Sequence, residues 1–167
     1  MTYLKFYFLL LGVLAINAYS QTPYWKDINV THVNTEKPRS SFMTYDNIQD
    51  ALSLKYENSK YYMLLNGVWK FYYVDAYGML PANITDPSVS TTSWHDIKVP
   101  GNWEVQGFGT PIYVNHPYEF QPRNPTPPLL PEKNPVGVYR RDIEIPADWI
   151  DRNIFLHIAG AKSGVYV

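Results

Sequence analysis

The chain has 167 residues, 15 Asp plus Glu against 14 Lys plus Arg, and no cysteine. That length suits one domain with a real core, and a formal net charge of -1 leaves no basic footprint for nucleic acid. The missing cysteines exclude disulfides, thiolate catalysis and cysteine-ligated metal, so a folded domain must rest on its apolar core. Aromatic residues make up 16% of the chain, led by 15 tyrosines, which suits a strand-rich core and also suits sugar binding.

The first twenty residues read as a secretory signal peptide. Lys5 supplies the single cation, Phe6 to Ile16 form an apolar run too short to span a bilayer, and Ala18-Tyr19-Ser20 is a small-x-small cleavage site. Export to a bacterial periplasm or cell surface is expected, with no membrane span after cleavage. Residues 21–60 read as an extended, polar arm, in which Tyr45 to Leu54 holds one short helical turn.

Strand patterning starts next. In "YYMLLNGVWKFYYV" the Asn66-Gly67 pair is a hairpin signal, because type I′ turns need positive φ at both central positions. Trp69, Phe71 and Tyr73 then alternate onto one face, with Lys70 on the other. Asp96 to Val99 is a second strand, stopped by Pro100-Gly101. The segment "VPGNWEVQGFGTPIYVN", Val99 to Asn115, sets Trp103, Phe108 and Tyr113 among turn residues. A proline-rich stretch from Pro117 to Pro135 is long enough to suggest a functional or docked loop, with a polyproline ligand as the textual alternative.

Further on, Tyr139, Arg141, Ile143 and Ile145 alternate onto one face until Pro146, and Ile154, Leu156 and Ile158 do the same in "NIFLHIAG". No long amphipathic helix is in evidence. Short strands between Pro/Gly turns predict an all-β sandwich or jelly roll. Val165 and Val167 share a face at the end of the chain, so the expectation is a sheet continuing beyond Val167, and hence a fragment of a longer protein.

The blocks "LNGVWKFYY", "WHDIKVPGNWEVQGFGTPIYVNHPYEF", "NPVGVYRRDIEIPADW" and "FLHIAGAKSGVYV" together resemble the N-terminal part of family 2 glycoside hydrolases, most closely the large bacterial β-galactosidases. The resemblance implies that residues 61–167 form a jelly-roll sugar-binding domain, followed in the family by an immunoglobulin-like domain and a catalytic TIM barrel. It implies that Asn115 contacts the galactosyl unit of a β-galactoside, and that Trp103, Phe108 and Tyr113 are domain-interface residues facing the barrel. An amide suits a sugar, since its carbonyl accepts from one hydroxyl while its NH₂ donates to another. Asn115 as a simple turn cap is the alternative.

Retaining hydrolysis needs two carboxyl groups about 5–5.5 Å apart. In the family both are barrel glutamates, so the resemblance implies no catalytic residue and no cofactor in this chain. Divalent and monovalent metal ions would belong to the complete enzyme, as would a homo-oligomeric state. The expected partners are the β-galactoside substrate and the downstream domains. β-Glucuronidase, β-mannosidase and a free-standing carbohydrate-binding module stay open as alternatives. An inward Arg141 pairing with a buried carboxylate and Glu104 accepting turn amides are structural expectations; His116 is assigned no role.

The leader reading makes a direct prediction. N-terminal sequencing of exported protein is expected to begin at Gln21, or at its pyroglutamate form, and intact Met1 on exported material would contradict it.

Overall fold

The computed structural model describes residues 23–111, 124, 126, 129–162 and 164–167. The leader, Tyr113, Asn115, His116 and most of the proline-rich stretch therefore lie outside the described residues. The chain divides into two compact units, Met1–Thr35 and Glu36–Val167. Among the described residues of the first, a 3-10 turn at Tyr24–Lys26 precedes an Asx turn in which Asp27 Oδ1 accepts from the Asn29 amide at 2.9 Å.

In the second unit, α1 (Ile48–Ser53) is the short helical turn expected. Asn47 caps it by accepting from the Asp50 amide at 2.8 Å. That removes one of the unpaired donors with which every helix starts. Leu54 ends it in the left-handed region, at φ 55°.

The all-β class is as expected. Among the described residues three strands, β1 (Gly67–Val74), β2 (His95–Val99) and β3 (Val136–Arg140), form an antiparallel sheet in the order β2-β1-β3. The sequence of β1, dense in aromatic and β-branched residues, favours the pleated conformation and the central place. Its register sets Trp69 against Ile97, Phe71 against both His95 and Tyr139, and Tyr73 against Gly137. Directly opposed residues share a face. One face therefore carries Trp69, Phe71, Tyr73, Ile97 and Tyr139, and the other carries Lys70, Tyr72, Val74 and Arg140.

Phe71 is 0% exposed and Ile97 1%. They centre the first face. On the second, Lys70 pairs with Asp96 at 2.7 Å, across its own register position. Arg140 lies opposite Lys70 on the other side, where two like charges would repel. Its guanidinium turns away and donates to three carbonyls, of Val89 (2.7 Å), Ile84 (2.9 Å) and Asp86 (2.9 Å). It also lies 5.1 Å from the ring centre of the buried Trp94, which packs on Tyr72. One cation thus holds the segment from Ile84 to Val89 over this face. Asp86 turns the same segment by accepting from the Ser88 amide and hydroxyl, and these bonds hold its carboxyl below the ordinary carboxylate range.

Four expectations fail. No hairpin forms at Asn66-Gly67. Gly67 has φ +134° and opens β1, and residues 61–66 join no ladder. A strand has two edges, and those of β1 are taken by β2 and β3, so nothing remains for the residues before the turn. The carbonyls they leave go elsewhere. Leu65 O accepts from Trp69 Nε1 at 2.8 Å and from Arg141 Nη1 at 2.6 Å, and Asn66 O accepts from Arg141 at 3.1 Å. Arg141 is accordingly exposed and bound to carbonyls, not inward and paired with a carboxylate. The strand expected through Ile145 stops at Arg140, and 154–158 stay outside the sheet, with their apolar side chains about half exposed.

Around the sheet, Trp149 is buried and donates through Nε1 to Lys60 O at 2.9 Å. Ser59, also buried, donates to Thr44 O at 2.7 Å. The first bond ties the flank of α1 to the chain after β3, and the second joins the two flanks of α1 to each other.

The core residue that decides stability is Phe71, since Trp69 is only partly buried. Phe71→Ala is expected to cost about 3–5 kcal/mol through the cavity it opens. Trp69→Ala is expected to cost less. Denaturant melts of both variants check the order.

Candidate functional site

The segment after β2 is a closed turn. The Val99-Pro100 bond is cis. A 3-10 turn follows at Glu104–Gln106, closed by Gly107 in the left-handed region at φ 95°. The Phe108 amide returns to the Trp103 carbonyl at 3.1 Å, so both rings are carried by one closed turn.

Gln106 fixes this turn to the sheet. Its Oε1 accepts from the Lys98 amide at 2.8 Å, and its Nε2 donates to the Lys98 carbonyl at 3.0 Å. A primary amide offers the same donor–acceptor pair as a peptide unit. The side chain therefore occupies the place of a neighbouring strand at Lys98 on β2. Gly101 makes the approach possible, because a Cβ there would lie 2.7 Å from Gln106 Nε2.

The rings of the loop then close on Phe71. Phe108 meets it edge-on, with ring centres 4.8 Å apart and planes at 74°. Trp103 lies at 6.0 Å and Tyr139 at 4.7 Å. His95 completes the border, edge-on to Phe108 at 5.1 Å. Each such aromatic pair contributes roughly 0.5–1.5 kcal/mol beyond the area it buries. Gly137 on β3 makes room for the cluster: a Cβ there would overlap the six-membered ring of Trp103 and come within 2.6 Å of Phe71 Cε2.

Two tyrosines at the edge of the cluster have altered acidity. Burial pushes the hydroxyl of Tyr73 upward, and the hydrogen bond to Asp75, at 3.1 Å, adds to it. Burial also raises Tyr139, with the negative charge of Glu104 as the smaller cause. Glu104 acts on Tyr73 in the same way.

Of the residues singled out in the sequence, Trp103 and Phe108 come together on Phe71, each half-buried within its own domain. Tyr113 and Asn115 begin beyond the last described residue of the loop, Pro111. Sequence reasoning missed Gln106, Gly137 and Arg140. A lone glycine inside a strand pattern was the available signal for Gly137. Gln106 has no local signal, since its partner lies eight residues back and only the folded turn brings it there. Among the described residues, no three His, Asp or Glu side chains converge to hold a metal ion.

An antiparallel sheet with an aromatic turn held on one face and an arginine clamp on the other defines an all-β domain that presents a closed loop. The family described as glycosyl hydrolases family 2, sugar binding domain, matches residues 62–167, and the chain belongs to that family. Its relatives include a protein named beta-galactosidase from Actinobacillus pleuropneumoniae, 36% identical over 86% of this chain and 13% of that protein. Beta-galactosidases of Priestia megaterium (31% identical, 87% of this chain, 14% of that protein) and Halalkalibacterium halodurans (30%, 91% and 15%) are similar to it as well. The chain thus spans about one seventh of the length of the curated relatives it matches.

The raised tyrosines predict how the cluster responds to pH. A folded-state pKa above the unfolded one contributes stability that is complete below the ordinary tyrosine value, near pH 10, and is lost as pH rises through the raised values. The melting temperature is expected to fall in that window. Replacing both Tyr73 and Tyr139 by Phe is expected to flatten the fall, and an unchanged slope would contradict the assignment.

Proposed function

We propose that the chain is the N-terminal sugar-binding domain of an exported β-galactosidase, a retaining glycoside hydrolase acting on terminal, non-reducing β-D-galactosides. The observation that carries this reading is the similarity to proteins named beta-galactosidase along more than four fifths of the chain, through the 99–115 segment. The geometry supports it. A turn fixed by Gln106 and by the Phe71 cluster leads directly into the segment holding Asn115.

In this reading Asn115 orients the galactosyl unit and performs no bond-breaking step. The acid/base and the nucleophile are carboxylates of another domain of the same polypeptide, and the isolated chain does not hydrolyse galactosides. Divalent and monovalent ions act in the complete enzyme, which is a homo-oligomer. The remaining exposed faces of Trp103 and Phe108, with Tyr113, rest against the catalytic domain. A loop ordered before substrate arrives lowers the conformational entropy lost on binding.

The test is the complete polypeptide carrying this domain, assayed on aryl β-galactosides, β-glucuronides and β-mannosides. Preference for the galactoside is expected. Asn115→Ala is expected to lower kcat/KM about tenfold or more, since losing one or two hydrogen bonds to a buried hydroxyl is worth at least about 1.4 kcal/mol. The melting temperature is expected to stay unchanged. Full activity with a lowered melting temperature would make Asn115 a turn cap.

A further inference from the structure

The turn after β2 is held by two kinds of contact, and they restrain it differently. Trp103 and Phe108 rest on Phe71, with ring centres 6.0 and 4.8 Å away. Burial of apolar surface is non-directional, so it tolerates a small lateral shift. The Gln106 amide is directional. Its Oε1 accepts from the Lys98 amide at 2.8 Å and its Nε2 donates to the Lys98 carbonyl at 3.0 Å, so two atoms of one planar group must meet one residue of β2. Such bonds weaken steeply with distance and angle. The same nitrogen lies 3.4 Å from the Asn102 carbonyl, inside the turn itself. The rings set how the turn sits over the sheet, and the amide sets where it sits along β2.

The exit of the turn is fitted as closely as its start. A Cβ at Gly101 would lie 2.7 Å from Gln106 Nε2, and one at Gly109 would lie 2.8 Å from the Tyr73 hydroxyl. Gly109 also has φ +69°, in the left-handed region. The chain therefore leaves over the Tyr73 hydroxyl, two residues before Pro111. Between Gln106 and Pro111 no helix or strand intervenes, so a shift of the turn along β2 is carried to its exit.

We propose that Gln106 is a positioning residue for sugar recognition: its amide holds the turn at the place along β2 from which residues beyond Pro111 reach the galactosyl unit. This rests on the reading proposed above, in which Asn115 makes that contact. Gln106 itself touches no sugar. It acts through geometry, and a misplacement of about 1 Å at a binding group can cost on the order of a hundredfold in rate.

The test uses the complete polypeptide carrying this domain. Gln106→Met, Asn115→Ala and the double variant are assayed on an aryl β-galactoside well below the melting temperature. Methionine keeps the length of the side chain and removes both bonds to Lys98. Gln106→Met is expected to lower kcat/KM about tenfold, within the range that a displacement below 1 Å allows. Because Gln106 acts through Asn115, the double variant is expected to be no worse than Asn115→Ala alone, whereas independent effects would multiply. Amide hydrogen exchange is expected to quicken in peptides from 98–109 and to stay unchanged in β1, which separates a displaced turn from a loosened sheet. Gln106→Glu is the second variant. It keeps an acceptor for the Lys98 amide but sets an oxygen against the Lys98 carbonyl, and it is expected to lower kcat/KM in the same direction. Full kcat/KM in both Gln106 variants, beside a lowered value for Asn115→Ala, would overturn the proposal and leave the sugar-contact reading standing. So would losses that multiply in the double variant, or exchange that quickens throughout β1. Full kcat/KM in Asn115→Ala would overturn the reading, and the proposal with it.

Discussion

Everything described in the sheet depends on both edges of β1 being taken by strands distant in sequence. β2 begins 21 residues after β1 ends (95 − 74) and β3 begins 62 after (136 − 74). Once both are docked, Phe71 has His95 on one side and Tyr139 on the other, and its ring has one direction left, outward from the sheet. Trp103 and Phe108 fill that direction. The full burial of one phenylalanine thus follows from strand order, and the position of the aromatic loop follows from the phenylalanine.

The two faces solve different problems. The first is closed by apolar rings, with Gly137 and Gly101 giving the space that ring and amide need. The second is closed by a charge. Arg140 has no room for a counter-charge opposite it, because Lys70 is there, and its two terminal nitrogens donate instead to three carbonyls of the 84–89 segment. A lysine in its place would offer a point charge with no fixed fork, so the geometry of three acceptors favours arginine.

The product of this packing is a turn whose shape is set by contacts within the chain. Gln106 binds main chain and the rings bind each other, so the turn from Pro100 to Gly109 is held by its own side chains. In the function proposed above, residues further along the segment carry the chemistry of recognition. It accords with the family to which the chain belongs, whose beta-galactosidase relatives are about seven times longer than the stretch matched here.

The sequence by itself determined the class of fold, the shared face of Trp69, Phe71 and Tyr73, the helical turn at α1 and the family. Period-two alternation, a local capping residue and a fixed order of motifs are all written in neighbouring residues. The partners of those strands were decided by the tertiary structure. Asn66-Gly67 has the chemistry of a hairpin turn, yet β1 has only two edges, and long-range strands hold both. Arg141 reads as inward by alternation, yet the carbonyls freed at Leu65 and Asn66 draw it out of the ladder. Gln106 carries no local mark at all, because an amide becomes a substitute strand only when a closed turn brings it beside Lys98. Local pattern sets which face a side chain points to; competition for a limited number of strand edges sets what it meets there.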